Sequence, residues 1–270
     1  MTLVGRCDSC AAVVLNTKPR FDDIGVNVTR NPKDWSPYSK LALRYQVNLF
    51  FRTRSLLSME TIELYWGLHN LTRLKDETSL TRVRKDEFKT HMDILEILER
   101  RLVKLIQEPC LKSPTQELAI YKLFGYASLQ HSLAFLHDQI GLPLLRLQSD
   151  RMREVLEMVD VPSLTKQYPE MMLWVLVMGG IGGFGSSGQI WWANQVASLC
   201  VSLKIRGGVE ISAILREFLW TELYQSPAIE KFWTHVAEAQ GIVGGYEIRR
   251  LGDDVSLGMF NVISMIGREV

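Results

Sequence analysis

The chain has 270 residues and a mass of 30.9 kDa, and 47% of its residues are hydrophobic, which is enough to bury a sizeable core. This composition excludes a disordered chain and a collagen-like repeat. With 31 Lys and Arg against 30 Asp and Glu, the formal charge is only +1. The overall charge therefore does not indicate a nucleic-acid or membrane partner.

Residues 1–37 are predicted to be an irregular N-terminal segment, because they contain three prolines and no sustained apolar periodicity. Residues 38–270 are predicted to form a single helical domain. Residues 18–54 span the boundary between these two parts and carry eight basic residues against three acidic ones. This excess favours a solvated face over a phosphate-binding patch, although the sequence leaves open whether it binds anything.

The cysteines and the N-terminus indicate an intracellular protein. No apolar stretch of signal-peptide length follows Met1, and four scattered cysteines do not make a disulfide framework. Cys7 and Cys10 form one C-x-x-C pair, but no second pair of cysteines or histidines follows at the spacing of a zinc site. We therefore expect the cysteines to be reduced and predict no metal site.

Apolar residues recur at helical spacing along most of the chain. The predicted helices are 86–107, 115–139, 144–159, 169–180, 189–204, 209–224 and 227–240, with a short final helix at 257–266. The first has an apolar face too wide for a coiled coil, and the second is apolar almost all round, which is typical of the centre of a bundle. The pattern predicts an all-α, multi-helix bundle of roughly 9–11 helices.

Residues 171–203 contain no charged side chain, so a membrane-associated hairpin is an alternative interpretation. The strongly apolar part, Met171–Phe184, has 14 residues, whereas a spanning helix needs about 20. A pair of buried helices fits the pattern better.

Candidate chemical motifs in the chain lack the context that their chemistry needs. Gly180, Gly182 and Gly185 match G-x-G-x-x-G, but helices flank them and no acidic residue follows at the spacing of a dinucleotide site. We interpret them as a helix end and loop. His131 and His137 are six residues apart, on opposite sides of a helix, so they do not form a metal-binding pair. We predict no catalytic residue and no cofactor.

A sequence of core residues in the C-terminal half resembles the regulatory, or middle homology, domain of fungal-specific zinc binuclear-cluster transcription factors. The match covers about residues 166–235 and combines a Tyr-Pro, a Leu-Trp, a Gly-Gly break, a Trp pair, a Phe-Leu-Trp and a final Trp. The motif residues are Tyr168, Pro169, Leu173, Trp174, Gly179, Gly180, Trp191, Trp192, Phe218, Leu219, Trp220 and Trp233. If the resemblance holds, Trp174, Trp191 and Trp220 share one core.

The resemblance implies an all-α regulatory domain without enzymatic activity, located in the nucleus or otherwise in the cytoplasm. Members of that family also carry six N-terminal cysteines that hold two zinc ions and read DNA, and this chain has two cysteines there. The implied function is that of a transcription-regulator-like protein acting through protein partners, one of which is a candidate DNA-binding regulator, or through a small effector. The alternative is a helical small-molecule-binding protein or an enzyme of metabolism, including secondary metabolism.

Overall fold

The structure is a computed structural model that describes most of the chain between Leu56 and Gly241. The described residues are 11, 12, 14, 15, 17, 56–79, 85–107, 116–137, 142–205, 208–216, 218–221, 227–241, 246–248 and 263–265. Cys7, Cys10 and the basic segment 18–54 lie outside the described residues.

The described residues form nine α-helices, a π-helical turn and two short strands. In chain order these elements are α1 (Leu56–Ser79), α2 (Lys85–Gln107), α3 (Gln116–His131), the π turn (Ser132–Leu136), α4 (Leu142–Glu157), α5 (Val161–Gln167), α6 (Pro169–Gly182), α7 (Gly188–Ser202), α8 (Gly208–Arg216), α9 (Pro227–Ala239), β1 (Tyr246–Ile248) and β2 (Ile263–Met265). The prediction of an all-α multi-helix bundle is confirmed.

Five segments differ from the prediction, and the first is α1. The sequence analysis names no helix before residue 86, yet α1 has 24 residues and buries Leu64, Leu68 and Leu71 at helical spacing. Polar Thr61 and Thr72 are buried near this stripe, and the apolar Trp66 lies on another side of the helix, so the periodic signal in the sequence is weak. The helix predicted over 86–107 is confirmed as α2 (Lys85–Gln107).

Residues 161–167 lie between the predicted helices 144–159 and 169–180, yet they form the short helix α5. The Asp160 side chain accepts a hydrogen bond from the Ser163 backbone N–H at 3.2 Å. Pro162 lies at the start of the helix, where its missing N–H has no intrahelical partner to lose. A proline there therefore begins the helix rather than breaking it.

The predicted helix over 209–224 is wrong at residues 218–221, which are not helical, whereas residues 217 and 222–224 lie outside the described residues. The final predicted helix is also wrong over Ile263–Met265, because these residues pair antiparallel with Tyr246–Ile248. The β-branched Ile263 lies opposite Ile248, a residue pair that suits a strand better than a helix. In the predicted irregular segment, residues 11, 12, 14 and 15 are helical.

The uncharged stretch corresponds to most of α6 and all of α7. Among the described helices, none has the combination of length and apolar character that crossing a membrane requires. Every residue of α6 from Met171 to Gly182 is buried, because α3, α4, α5, α7, α8 and α9 all pack around it. The α6 helix is therefore the centre of the bundle.

Glycines near the end of α6 allow its neighbours to approach closely. A Cβ atom at Gly179 would lie 2.5 Å from the Trp192 ring of α7, and one at Gly180 would lie 2.1 Å from the Phe232 ring of α9. At Gly182 a Cβ atom would lie 2.0 Å from the side-chain amide of Gln130 in α3. Each glycine thus makes room for one side chain from a different helix.

We predict that Gly180→Ala lowers the free energy of unfolding by about 1–3 kcal/mol or more, because the Phe232 ring must shift within a packed core. Chemical denaturation measures this loss. The matched control is Gly188→Ala at the start of α7, where the nearest atom to a new Cβ is the Ser186 hydroxyl at 3.3 Å. An equal loss in the two variants would contradict the close approach at Gly180.

Candidate functional site

Trp174 of α6 is the centre of the motif residues. Its side chain is fully buried and stacks on Phe218, with ring centroids 5.5 Å apart and an interplanar angle of 11°. The indole Nε1 donates a hydrogen bond of 3.0 Å to the backbone carbonyl of Leu219. Phe124 of α3 contacts the same indole at 5.6 Å between centroids. Trp174 therefore joins α3, α6 and the chain that follows α8.

Phe218, Leu219 and Trp220 are all buried, and none of them is helical. The bend after Arg216 places the Leu219 carbonyl outside a helix, where it accepts the hydrogen bond from Trp174. The motif residues are thus buried as predicted, but on an irregular segment.

The other motif residues surround the two ends of α6. Tyr168 is buried at the start of the helix, followed by half-buried Pro169 in its first turn and fully buried Leu173. At the other end, the Gly179 carbonyl accepts a hydrogen bond of 2.8 Å from the Ser149 hydroxyl of α4. Trp233 is buried beside Phe232, the residue that packs on Gly180.

Trp191 lies at the border of this core. It is half-buried and contacts buried Trp192 edge-on at 4.8 Å, while the Arg153 guanidinium of α4 lies 4.7 Å from a Trp191 ring centroid. Trp174 and Trp220 belong to the buried core, and Trp191 packs against it. The structure therefore brings the three tryptophans into one core, as expected, while the family resemblance itself stays a prediction.

Gly180 and Gly182 of the G-x-G-x-x-G motif do not border an open backbone surface. Side chains of Phe232 and Gln130 occupy the space beside Gly180 and Gly182. Gly185 has a φ of +70°, and a Cβ there would lie 2.5 Å from Arg146 Nη2. A dinucleotide needs close approach to such a backbone, so this geometry is that of a helix end and loop.

A second cluster, which the sequence analysis missed, lies at the π turn. Glu99 of α2 is buried, and its Oε1 accepts a hydrogen bond from the Ser132 hydroxyl and contacts His137 Nε2 at 2.6 Å. The Glu99 carboxylate therefore lies between the Ser132 hydroxyl and the His137 imidazole. Nucleophilic catalysis by serine needs the imidazole next to the hydroxyl, so this order does not activate Ser132.

The same turn is also fastened to α1. Lys75 Nζ donates hydrogen bonds to the carbonyls of Phe135 and Leu136, at 2.6 and 3.2 Å. A cation at the C-terminal end of a helix stabilises its unpaired carbonyls. The π turn is therefore held by an ammonium group from α1 and a carboxylate from α2. The only sequence signal for this cluster is the presence of polar residues near an apolar helix end.

His131 is fully buried one residue before the π turn. The Thr72 hydroxyl donates to the Leu68 carbonyl, so it accepts from His131 Nε2, which lies 2.8 Å away. Burial, with the nearby charges of His69 and Lys75, lowers the pKa of His131 to about 3. Burial, with Arg73, lowers the pKa of His69 to about 4. Both histidines are therefore neutral at pH 7.

Within the described part of the chain, no three His, Cys, Asp or Glu side chains are grouped closely enough to hold a metal ion. Cys200 is buried, and burial raises the pKa of its thiol to about 12, with a contribution from Glu210. A thiol with such a pKa is not a reactive nucleophile at pH 7.

Comparisons of the chain with protein-family models, curated proteins and solved structures find no match. The motif residues and their packing therefore carry the functional argument.

We predict that Trp174→Phe lowers the free energy of unfolding by about 1–3 kcal/mol, because it removes the donor to the buried Leu219 carbonyl. The control is Trp191→Phe, which keeps a half-buried ring beside Arg153 and costs about 1 kcal/mol or less. Denaturant titration compares the two variants. A greater loss in Trp191→Phe would contradict the central position of Trp174.

Lowering the pH from 7 to 5 is expected to destabilise the protein through His69 and His131. Each histidine binds a proton near pH 6.5 when unfolded, but only near pH 4 or 3 when folded. The unfolded state therefore binds more protons below pH 6.5, and stability falls by up to about 1.4 kcal/mol per pH unit for each group.

Denaturation midpoints measured between pH 5 and 7 give this slope. This pH range lies above the ordinary pKa values of Asp and Glu side chains, so their titration contributes little to it. His131→Gln should reduce the slope, because the variant keeps a donor near Thr72 but does not titrate. An unchanged slope in this variant would show that His131 is not the buried neutral group described.

Proposed function

We propose that this chain is a transcription-regulator-like protein in which the bundle around α6 is a regulatory domain that acts through protein partners or a small effector. The observation that carries the proposal is the convergence of the motif residues on Trp174 and the paired glycines. Trp174 contacts Phe218 and Leu219, and Gly179 contacts Trp192. The motif resembles that of the fungal regulatory domains in residue order, and its members are neighbours in space here.

The chemistry of this core supports regulation rather than catalysis. Its members are aromatic, aliphatic and glycine side chains, which bind by packing and do not transfer protons or form covalent intermediates. The uncharged residues 171–203 carry much of it. A domain of this kind acts through the protein partners or the small effector that it contacts. We propose a nuclear location on the basis of the resemblance.

The buried Glu99–His137 pair favours the second candidate, a small-molecule-binding protein or an enzyme. A carboxylate beside an imidazole is a common acid–base arrangement, and Glu99 is buried. Ser132, which donates to Glu99, belongs to the π turn, and Lys75 holds the same turn through the carbonyls of Phe135 and Leu136. The pair therefore also has a structural role at this turn.

The proposal is tested by fusing the full chain to an unrelated DNA-binding module in a fungal reporter strain. We expect the fusion to change reporter expression relative to the module alone. Gly180→Ala should reduce this effect through loss of the core, whereas Gly188→Ala should retain it. Immunoblots establish equal amounts of each fusion.

Glu99→Gln separates the two candidate functions. A regulator built on the α6 core keeps its effect in this variant, because the amide still accepts a hydrogen bond from Ser132. An effect that needs the Glu99 carboxylate, in a variant of unchanged stability, would favour the small-molecule or enzymatic function. A fusion that leaves the reporter unchanged would contradict the regulatory function.

A further inference from the structure

The side chain of Gln130 in α3 is a buried amide that the protein itself does not pair. Gln130 is fully buried, and within the part of the chain that the structure describes neither its Nε2 nor its Oε1 has a hydrogen-bond partner. Burying an amide without hydrogen bonds is costly. Buried amides in native proteins therefore almost always pair, either with protein atoms or with ordered water.

The Gln130 amide lies against the backbone at the end of α6. A Cβ atom at Gly182, the last residue of α6, would be 2.0 Å from Gln130 Nε2 and 3.0 Å from its Oε1. A side chain at position 182 would therefore push the amide away from the helix. Because Gly182 has no side chain, the amide reaches the backbone of α6.

The end of α6 also has carbonyl groups that lack partners within the helix. The last four carbonyls of an α-helix have no intrahelical N–H group to pair with. The first of the four here, Gly179, accepts from the Gly183 N–H at 2.9 Å and from the Ser149 hydroxyl at 2.8 Å. For the buried residues 180–182, the described backbone N–H groups outside α6 supply no such bond. An amide donor and carbonyl acceptors therefore lie at the same helix end without a direct bond between them.

The unpaired atoms determine what kind of ligand fits between the two helices. Nε2 needs an acceptor, whereas Oε1 and the helix-end carbonyls need donors. A water molecule both accepts and donates, and internal waters typically make about three hydrogen bonds to buried polar groups of this kind. An ion is a poor alternative, because residues 171–203, which include this end of α6 and all of α7, offer no counter-charge.

We propose that ordered water binds between the Gln130 amide of α3 and the carbonyl groups at the end of α6, as an internal hydration site. In this site, water accepts a hydrogen bond from Nε2 and donates to Oε1 or to a carbonyl of residues 180–182. Water thus joins two helices of the core at a point where their polar groups do not bond directly. The inference is independent of the proposed regulatory function, because it rests on hydrogen-bonding groups and not on the family resemblance.

A crystal structure of the full chain, at a resolution that shows ordered water, tests the proposal. The expected result is electron density for water about 2.7–3.2 Å from Gln130 Nε2 or Oε1, and at the same distance from a carbonyl of residues 180–182. The variant Gln130→Met keeps the length of the side chain but has no amide. Its crystal structure should lack this density.

The stability of Gln130→Met gives a second measurement, because a hydrated amide and an unpaired amide predict opposite changes. If water pairs the amide, the variant loses hydrogen bonds, and the equilibrium constant for folding falls about threefold to tenfold. If the amide is unpaired, methionine removes a buried polar group that has no bond to lose, and the constant rises. Leu129→Met is the matched control, since this buried neighbour in α3 has no polar group and reports the effect of methionine alone.

Four results would overturn the proposal. The first two are an amide without water density at either atom and an amide that pairs directly with a protein group. The third is a Gln130→Met variant that folds more favourably than the unmodified chain. The fourth is water density that persists in this variant, because the carbonyls would then hold the water without Gln130. The structure of the unmodified chain decides the first two even if the variant does not fold.

Discussion

The packing of α6 depends on the absence of side chains at Gly179, Gly180 and Gly182. Rings from Trp192 and Phe232 and the amide of Gln130 occupy the space where Cβ atoms would lie. Three helices therefore contact the α6 backbone, closer than side-chain packing alone allows. Because α6 touches six other helices, a shift at this end would be transmitted through most of the bundle.

The buried indole of Trp174 is a second constraint, and it acts on the irregular chain after α8. Trp174 stands at the other end of the buried surface of α6, where its indole needs a hydrogen-bond acceptor. A helical Leu219 would have its carbonyl engaged within the helix, whereas the bent segment presents it to Trp174. Core packing thus overrides the helical periodicity of the sequence between Arg216 and Trp220.

Much of the fold, and less of the candidate site, follows from the sequence. The α2 helix is predictable because its apolar residues recur at helical spacing, and α6 because an unbroken apolar run lies between Pro169 and a group of glycines. The bend at Phe218 and the π turn after His131 are not, because both arise from partners distant in the chain: Trp174 for the bend, and Glu99 with Lys75 for the turn. Short strands such as Ile263–Met265 give too few residues for periodicity to identify.

A double-mutant cycle between Gly180 and Phe232 tests the central claim most directly, that the ring occupies the space of the missing side chain. Gly180→Ala and Phe232→Leu are made singly and together, and unfolding free energies are measured. We predict that Gly180→Ala costs at least about 1 kcal/mol less when Phe232 is already leucine, since the clashing ring is gone. Additive effects of the two substitutions would contradict the close packing of Phe232 on Gly180.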